Sequence, residues 1–215
     1  MIYERKNLWI FGDSFSVQFE NLKDIHPYVP YKGYSPKIFS NLIAENYNLN
    51  LIDCSRGGSS NYDIFHSYIK NVKKMRDSDI LIFGWTQTIR FRIASKRNDF
   101  YDVIIAVANQ MKELFDIPIS TLNDITFNRS ENSIYYDELC DYIDIIKFCN
   151  PNNKIINWTW VEPYFNDVYE NKFYEKLIPY KKYTPIKIET NNQVDDFHYG
   201  EKAHLDLYND MIKFL

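Results

Sequence analysis

The sequence predicts an α/β domain built on a mostly parallel sheet. Short apolar runs alternate along the chain with stretches of helical periodicity, the order that builds βαβ units. The third run, Ile80-Leu81-Ile82-Phe83, contains no polar residue, as a strand covered on both faces requires. The first three runs are each followed by glycine, hydroxyl or amide residues: Gly12-Asp13-Ser14, Ser55-Arg56-Gly57-Gly58-Ser59-Ser60-Asn61 and Gly84-Trp85-Thr86-Gln87. In a parallel sheet these ends share one rim, and ligands bind beyond that rim.

The elements follow in order. Leu8 to Phe11 is the first strand. Ser35 to Tyr47 reads as a helix, with Ser35 as N-cap, Pro36 as first residue and Ile38, Phe39, Leu42, Ile43 and Tyr47 at helical spacing. Leu49 to Cys54 is a second strand, and Asn61 to Met75 a helix with Ile64, Phe65, Tyr68, Ile69 and Val72 on one face. After the third strand, Asp102 to Phe115 and Tyr135 to Cys149 read as helices, Lys154 to Trp158 as a fourth strand and Pro185 to Glu189 as a short fifth. Gly200 to Leu215 is the closing helix. Residues 117–133 and 162–194 show no clear period, as lids, binding loops or unrecognised elements do. With no internal repeat and no linker, the 215 residues are expected to form one domain, 1–215.

Composition narrows the function. A hydrophobic share of 45% and a charged share of 25% are those of a globular protein, with no apolar stretch long enough to span a membrane. Met1 to Lys6 lack the apolar core of a signal peptide, so a cytoplasmic location is expected. Cys54, Cys140 and Cys149 lack metal-site spacing and read as reduced thiols. The net charge of −4 argues against a nucleic-acid partner held by phosphate contacts. Two basic groups remain. Lys70, Lys73, Lys74 and Arg76 suit a helix C-terminus, whereas Arg90, Arg92, Lys96 and Arg97 follow a candidate site loop.

A serine attacks an acyl carbon only when a base takes its proton, a third group orients the base, and donors meet the oxyanion. Ser14 at the end of the first strand is the candidate nucleophile. His198, in Asp195-Asp196-Phe197-His198 before the last helix, is the candidate base, and Asp195 can hold its imidazole. Asp13 is expected to bond nearby backbone and shape the turn. His26 and His66 have no telling neighbours, and His204 reads as a helix-surface or capping histidine. A zinc site from Asp195, Asp196, His198 and His204 is disfavoured by its ligand count. The Gly57-Gly58-Ser59-Ser60 loop before a helix suits an anion but lacks the lysine ending of a P-loop, so an oxyanion is its expected guest.

These residues together resemble the SGNH hydrolases, also called the GDSL esterases and lipases. Gly12-Asp13-Ser14 is similar to the family's nucleophile block, Gly58 to its oxyanion glycine, and Asp195-x-x-His198 to its final block. The third block departs: the family's usual Gly-x-Asn-Asp is here Gly84-Trp85-Thr86-Gln87, with Thr86 at the asparagine position. The resemblance implies a three-layer α/β/α sandwich of the flavodoxin-like type. It also implies an ester hydrolase that needs no cofactor and no metal, with a Ser14-His198-Asp195 triad. The oxyanion hole would be formed by the backbone of Ser14 and Gly58 with Asn61 or Thr86 as side-chain donor. The expected partner is a small-molecule or carbohydrate ester, acetylated carbohydrate above all. Two alternatives stay open: acyl transfer to a sugar hydroxyl by the same residues, and a carbohydrate-binding module that keeps the fold without the chemistry.

Overall fold

The computed structural model describes residues 5–22, 25–88, 90–94, 100–103, 118, 120–121, 124–125, 134–161, 177–178, 183, 185–186 and 198–215. In chain order the elements are β1 (Asn7–Phe11), α1 (Tyr28–Lys32), α2 (Phe39–Asn46), β2 (Asn50–Asp53), α3 (Asn61–Asn71), β3 (Ile80–Trp85), β4 (Phe91–Ala94), β5 (Phe100–Val103), α4 (Ile134–Cys149), β6 (Lys154–Thr159) and α5 (Glu201–Met211).

Strands β2, β1, β3 and β6 form one parallel sheet in that order. Alternation along β1 decides the layering. Leu8 and Ile10 point into a core shared with Phe39 and Ile43 of α2 and with Ala203, Leu207 and Met211 of α5. Trp9 and Phe11 point the other way, into a core with Ile64 and Tyr68 of α3 and with Leu139, Ile143 and Ile146 of α4. The helical contacts recur at three- and four-residue spacing, as one face of a helix demands. The result is the expected three-layer α/β/α sandwich, with a strand order matching the flavodoxin-like pattern. Leading left to β2 through α2 and right to β3 through α3, the chain places the switch point between β1 and β3.

At the far end of the sheet, Asp79 is wholly buried and accepts from the amides of Asn7 and Arg76, the Asn7 side chain and the Trp9 indole. Burial opposes its charge, but these donors outweigh that cost and hold its carboxyl below the usual range.

Several boundaries differ from the sequence reading. Helix α2 starts at Phe39 rather than Ser35, because the Ile38 amide is taken by the Asn41 side chain (3.1 Å). Gly84 and Trp85 belong to β3, not to the loop after it. Phe100–Val103, whose last two residues were assigned to a helix, form instead an antiparallel pair with Phe91–Ala94; residues 104–115 of that expected helix lie outside the described residues. The expected fifth strand is not one at its start. Pro185 makes an isolated bridge to Tyr199 and Ile186 is helical, while 187–189 are outside the described residues. Among the described residues no helix is long and apolar enough to cross a membrane.

Candidate active site

Because all four strands run parallel, Gly12, Cys54, Thr86 and Trp160 leave the sheet on one rim. At the end of β1 the chain turns at once. Ser16 and Val17 amides donate to the Asp13 carbonyl (3.0 and 3.3 Å), and the Phe15 amide donates to Asp13 Oδ1 (3.0 Å). The Asp13 side chain thus shapes the turn, as its position implied. Ser14 stands on this turn, half-buried.

Gly12 makes the turn feasible. A Cβ there would collide with the Ser16 side chain, and a Cβ at Gly84 of β3 would lie 2.5 Å from the same Ser16 Oγ. Ser16 is therefore packed between two strand ends that admit only glycine. The loop after β2 closes on the same turn. The Arg56 amide donates to the Gly12 carbonyl (3.0 Å), and a Cβ on Gly57 would lie 3.9 Å from Ser14 Cβ. Gly58 has φ of +76°, the left-handed region where glycine costs nothing, with open space where a side chain would be. Ser60 then caps α3, its hydroxyl accepting from the Asp63 amide (3.3 Å). A pocket opens beside Gly12 toward α3, lined in part by Arg56, Ser59, Asp63, His66 and Lys70.

Asn61 and Thr86, the two candidate side-chain donors, meet directly. Asn61 Nδ2 donates to the Thr86 carbonyl and the Thr86 amide donates to Asn61 Oδ1, both at 2.8 Å. The amide of Asn61 is therefore engaged with backbone at both ends. Thr86 Oγ1 is buried and has no hydrogen-bond partner among the described residues.

His198 lies on the same rim. Its ring stacks on Phe15, the residue after Ser14, with centroids 4.9 Å apart, and its carbonyl accepts from the Ile186 amide (2.8 Å). Asp195, the expected orienting carboxylate, lies outside the described residues. His26, given no role from sequence, meets His198 edge-on at 5.3 Å and accepts the Tyr28 amide on Nδ1 (3.2 Å). His204 is not a surface or capping residue. It is buried among Phe19, Phe39 and Tyr199, and burial with the nearby His198 pushes its pKa down to about 3. Asp53, at the end of β2, is pushed the opposite way for a carboxyl: burial raises it. Among the described residues no three His, Cys, Asp or Glu side chains gather into a metal-binding group.

Two further residues reach the turn without a signal in local sequence. Arg90 Nη1 donates to Asp13 Oδ2 (3.0 Å) and the Trp160 indole donates to the same oxygen (2.8 Å). Arg90 belongs to the basic group that follows a candidate site loop, but its acidic partner is 77 residues away in sequence.

No protein-family model matches the chain, and no curated protein matches it. Solved structures do. One is a Parabacteroides merdae protein assigned as a GDSL-like lipase, 11% identical, with 98% of this chain and 97% of that chain covered at a TM-score of 0.49. Another is an acetyl xylan esterase from the rumen bacterium Butyrivibrio proteoclasticus, 11% identical, covering 100% of this chain and 64% of that one at 0.46. A psychrotrophic esterase from Pseudoalteromonas is 12% identical, covering 97% and 95% at 0.39.

Proposed function

We propose that the chain cleaves small acyl esters through an acyl-enzyme on Ser14. One observation carries the reading: the turn bearing Ser14, the Gly58 loop, the Thr86 hydroxyl, unpartnered among the described residues, and the His198 ring all stand on one rim at the β1/β3 switch point. A serine, a base and oxyanion donors are the minimum for acyl transfer.

In the proposed reaction Ser14 Oγ attacks the acyl carbon and His198 takes its proton. The developing oxyanion receives the amides of Ser14 and Gly58 and the Thr86 hydroxyl. His198 returns the proton to the leaving alkoxide, then activates water to release the acid and restore Ser14. Asp195 holds the imidazole in the tautomer that faces Ser14. Asn61 positions Thr86, since its oxygen and one N–H of its amide are paired with the Thr86 backbone. An acetyl ester of a carbohydrate is the substrate class we propose, and a sugar hydroxyl in place of water would turn the same steps into acyl transfer.

The test is labelling by a fluorophosphonate, which reacts only with an activated serine, alongside turnover of an activated acetyl ester with and without a sugar acceptor. Labelling should map to Ser14 and vanish in Ser14→Ala, with ester turnover. Equal turnover by wild type and Ser14→Ala would sink the reading.

A further inference from the structure

We infer that Arg90 is a positioning residue: with Asp13 and Trp160 it locks the Ser14 turn to the Gly58-Ser59 loop, fixing the spacing between nucleophile and oxyanion donors. The inference rests on the ester-cleaving role of Ser14 proposed above.

Asp13 is wholly buried, and a buried carboxylate persists only when its oxygens are fully paired. Oδ1 is taken by the amide of Phe15, immediately after Ser14. Oδ2 is taken from two distant strand ends, by Arg90 beyond β3 and Trp160 beyond β6. The arginine does more than neutralise the charge. The same Nη1 that meets Asp13 at 3.0 Å also donates to the Ser59 carbonyl at 3.2 Å. One nitrogen therefore joins the residue before the nucleophile to the residue after the oxyanion glycine.

The choice of arginine is also explained. Its guanidinium carbon lies 5.5 Å from the Trp160 ring centroid while its Nη1 bonds the two oxygens. A planar delocalised cation can lie against an aromatic ring while one of its nitrogens donates two bonds; an ammonium at the end of a flexible stem is a point charge without that planar face. Trp160 itself stacks on Phe15 at 4.3 Å, and Phe15 stacks on His198. The lock thus reaches the nucleophile turn, the oxyanion loop and the base from one buried cation that is 8% exposed.

The experiment compares wild type with Arg90→Ala, Arg90→Lys and Trp160→Phe. Readouts are fluorophosphonate labelling of Ser14, kcat and KM on an acetyl ester, and amide hydrogen exchange at Phe15 and Ser59. A displacement of about 1 Å at a reacting group costs on the order of 100-fold. Arg90→Ala should therefore lose labelling rate and kcat by about that factor, with KM near the wild-type value. Millimolar methylguanidinium should restore part of the loss in that variant and none in wild type. Arg90→Lys should fall between, and Trp160→Phe, which keeps the ion pair, should lose less. Exchange should quicken at both Phe15 and Ser59, far apart in sequence, in step with the kinetic loss. Should Arg90→Ala not fold, the lysine and Trp160→Phe variants decide. Folded variants with wild-type labelling and wild-type exchange would overturn the inference. If wild type is unlabelled and Ser14→Ala changes nothing, the ester-cleaving reading fails by itself. Exchange at the two loops then decides the lock: quickening at both upholds it, unchanged protection overturns it.

Discussion

Replacing Thr86 by valine separates stability from chemistry at one atom. The substitution keeps the branched shape and replaces only the Oγ1 hydroxyl by a methyl; that hydroxyl is buried with no hydrogen-bond partner among the described residues. The backbone at this position is held independently, by the Asn61 amide at 2.8 Å on both sides, so the loop should stay where it is. A buried polar group without a partner costs about 1–3 kcal/mol in the free protein. Thr86→Val should accordingly leave the unfolding free energy unchanged or raise it by about 1 kcal/mol. Loss of one oxyanion donor raises the barrier by about 2.7–4 kcal/mol, a fall in rate on the order of 100- to 1,000-fold. The variant should thus become no less stable in urea while its fluorophosphonate labelling and ester turnover collapse. Ser40 supplies the control: its hydroxyl is also buried and unpartnered among the described residues, but it belongs to helix α2 and to none of the strand-end loops. Ser40→Ala should raise stability and leave turnover alone. Wild-type turnover in Thr86→Val would refute the assignment of the hydroxyl. A loss of more than about 1 kcal/mol would refute the claim that it makes no stabilising bond.

Acid should destabilise the fold through His204. Its folded pKa of about 3 lies below the unfolded value, so between the two the unfolded chain binds the extra proton. Stability from this residue is intact above about pH 6.5 and falls by about 1.4 kcal/mol per unit below it. Asp53, raised by burial, contributes with the opposite sign, so the readout is the difference in urea-unfolding slope between wild type and His204→Leu from pH 7 to 5. Equal slopes would refute it. Gly84→Ala should cost about 1–3 kcal/mol by overpacking, since its Cβ would fall 2.5 Å from Ser16 Oγ and 2.9 Å from Trp158 Nε1. Adding Ser16→Ala should return part of the thermal stability; a Gly84→Ala protein that melts with wild type would show that the approach is looser than described.

What was legible in the sequence was whatever local pattern decides. Leu8 to Phe11 reads as a strand and Ile80 to Phe83 as a strand covered on both faces, and the side chains of each fill both cores. Ser14, Gly58 and Thr86 stand out in the sequence because the loops that carry them follow strands of a parallel sheet, so order along the chain becomes adjacency at the rim. Asp102 and Val103 fall in a strand rather than the expected helix, and their pairing partner, Phe91–Ala94, is too short to announce itself. The start of α2 moved because a side chain, Asn41, captured an amide that Ser35 was expected to serve. The link of Asp13 to Arg90 and Trp160, and the meeting of His26 with His198, had no local signature. Such contacts exist only after the strands have been laid side by side.

Strand β1 has neighbours on both edges and a packed core on both faces. Sliding it by a single residue would send Trp9 and Phe11 into the space cut for Leu8 and Ile10, and the reverse, so both cores would be wrong at once. It therefore has one register. The height of Ser14 above the rim is then set by a simple count of residues from Leu8. A length change within that segment could not be absorbed by slippage, whereas the same change in a surface loop could. The position of the reacting oxygen is thus encoded as chain arithmetic, upstream of any contact the serine itself makes.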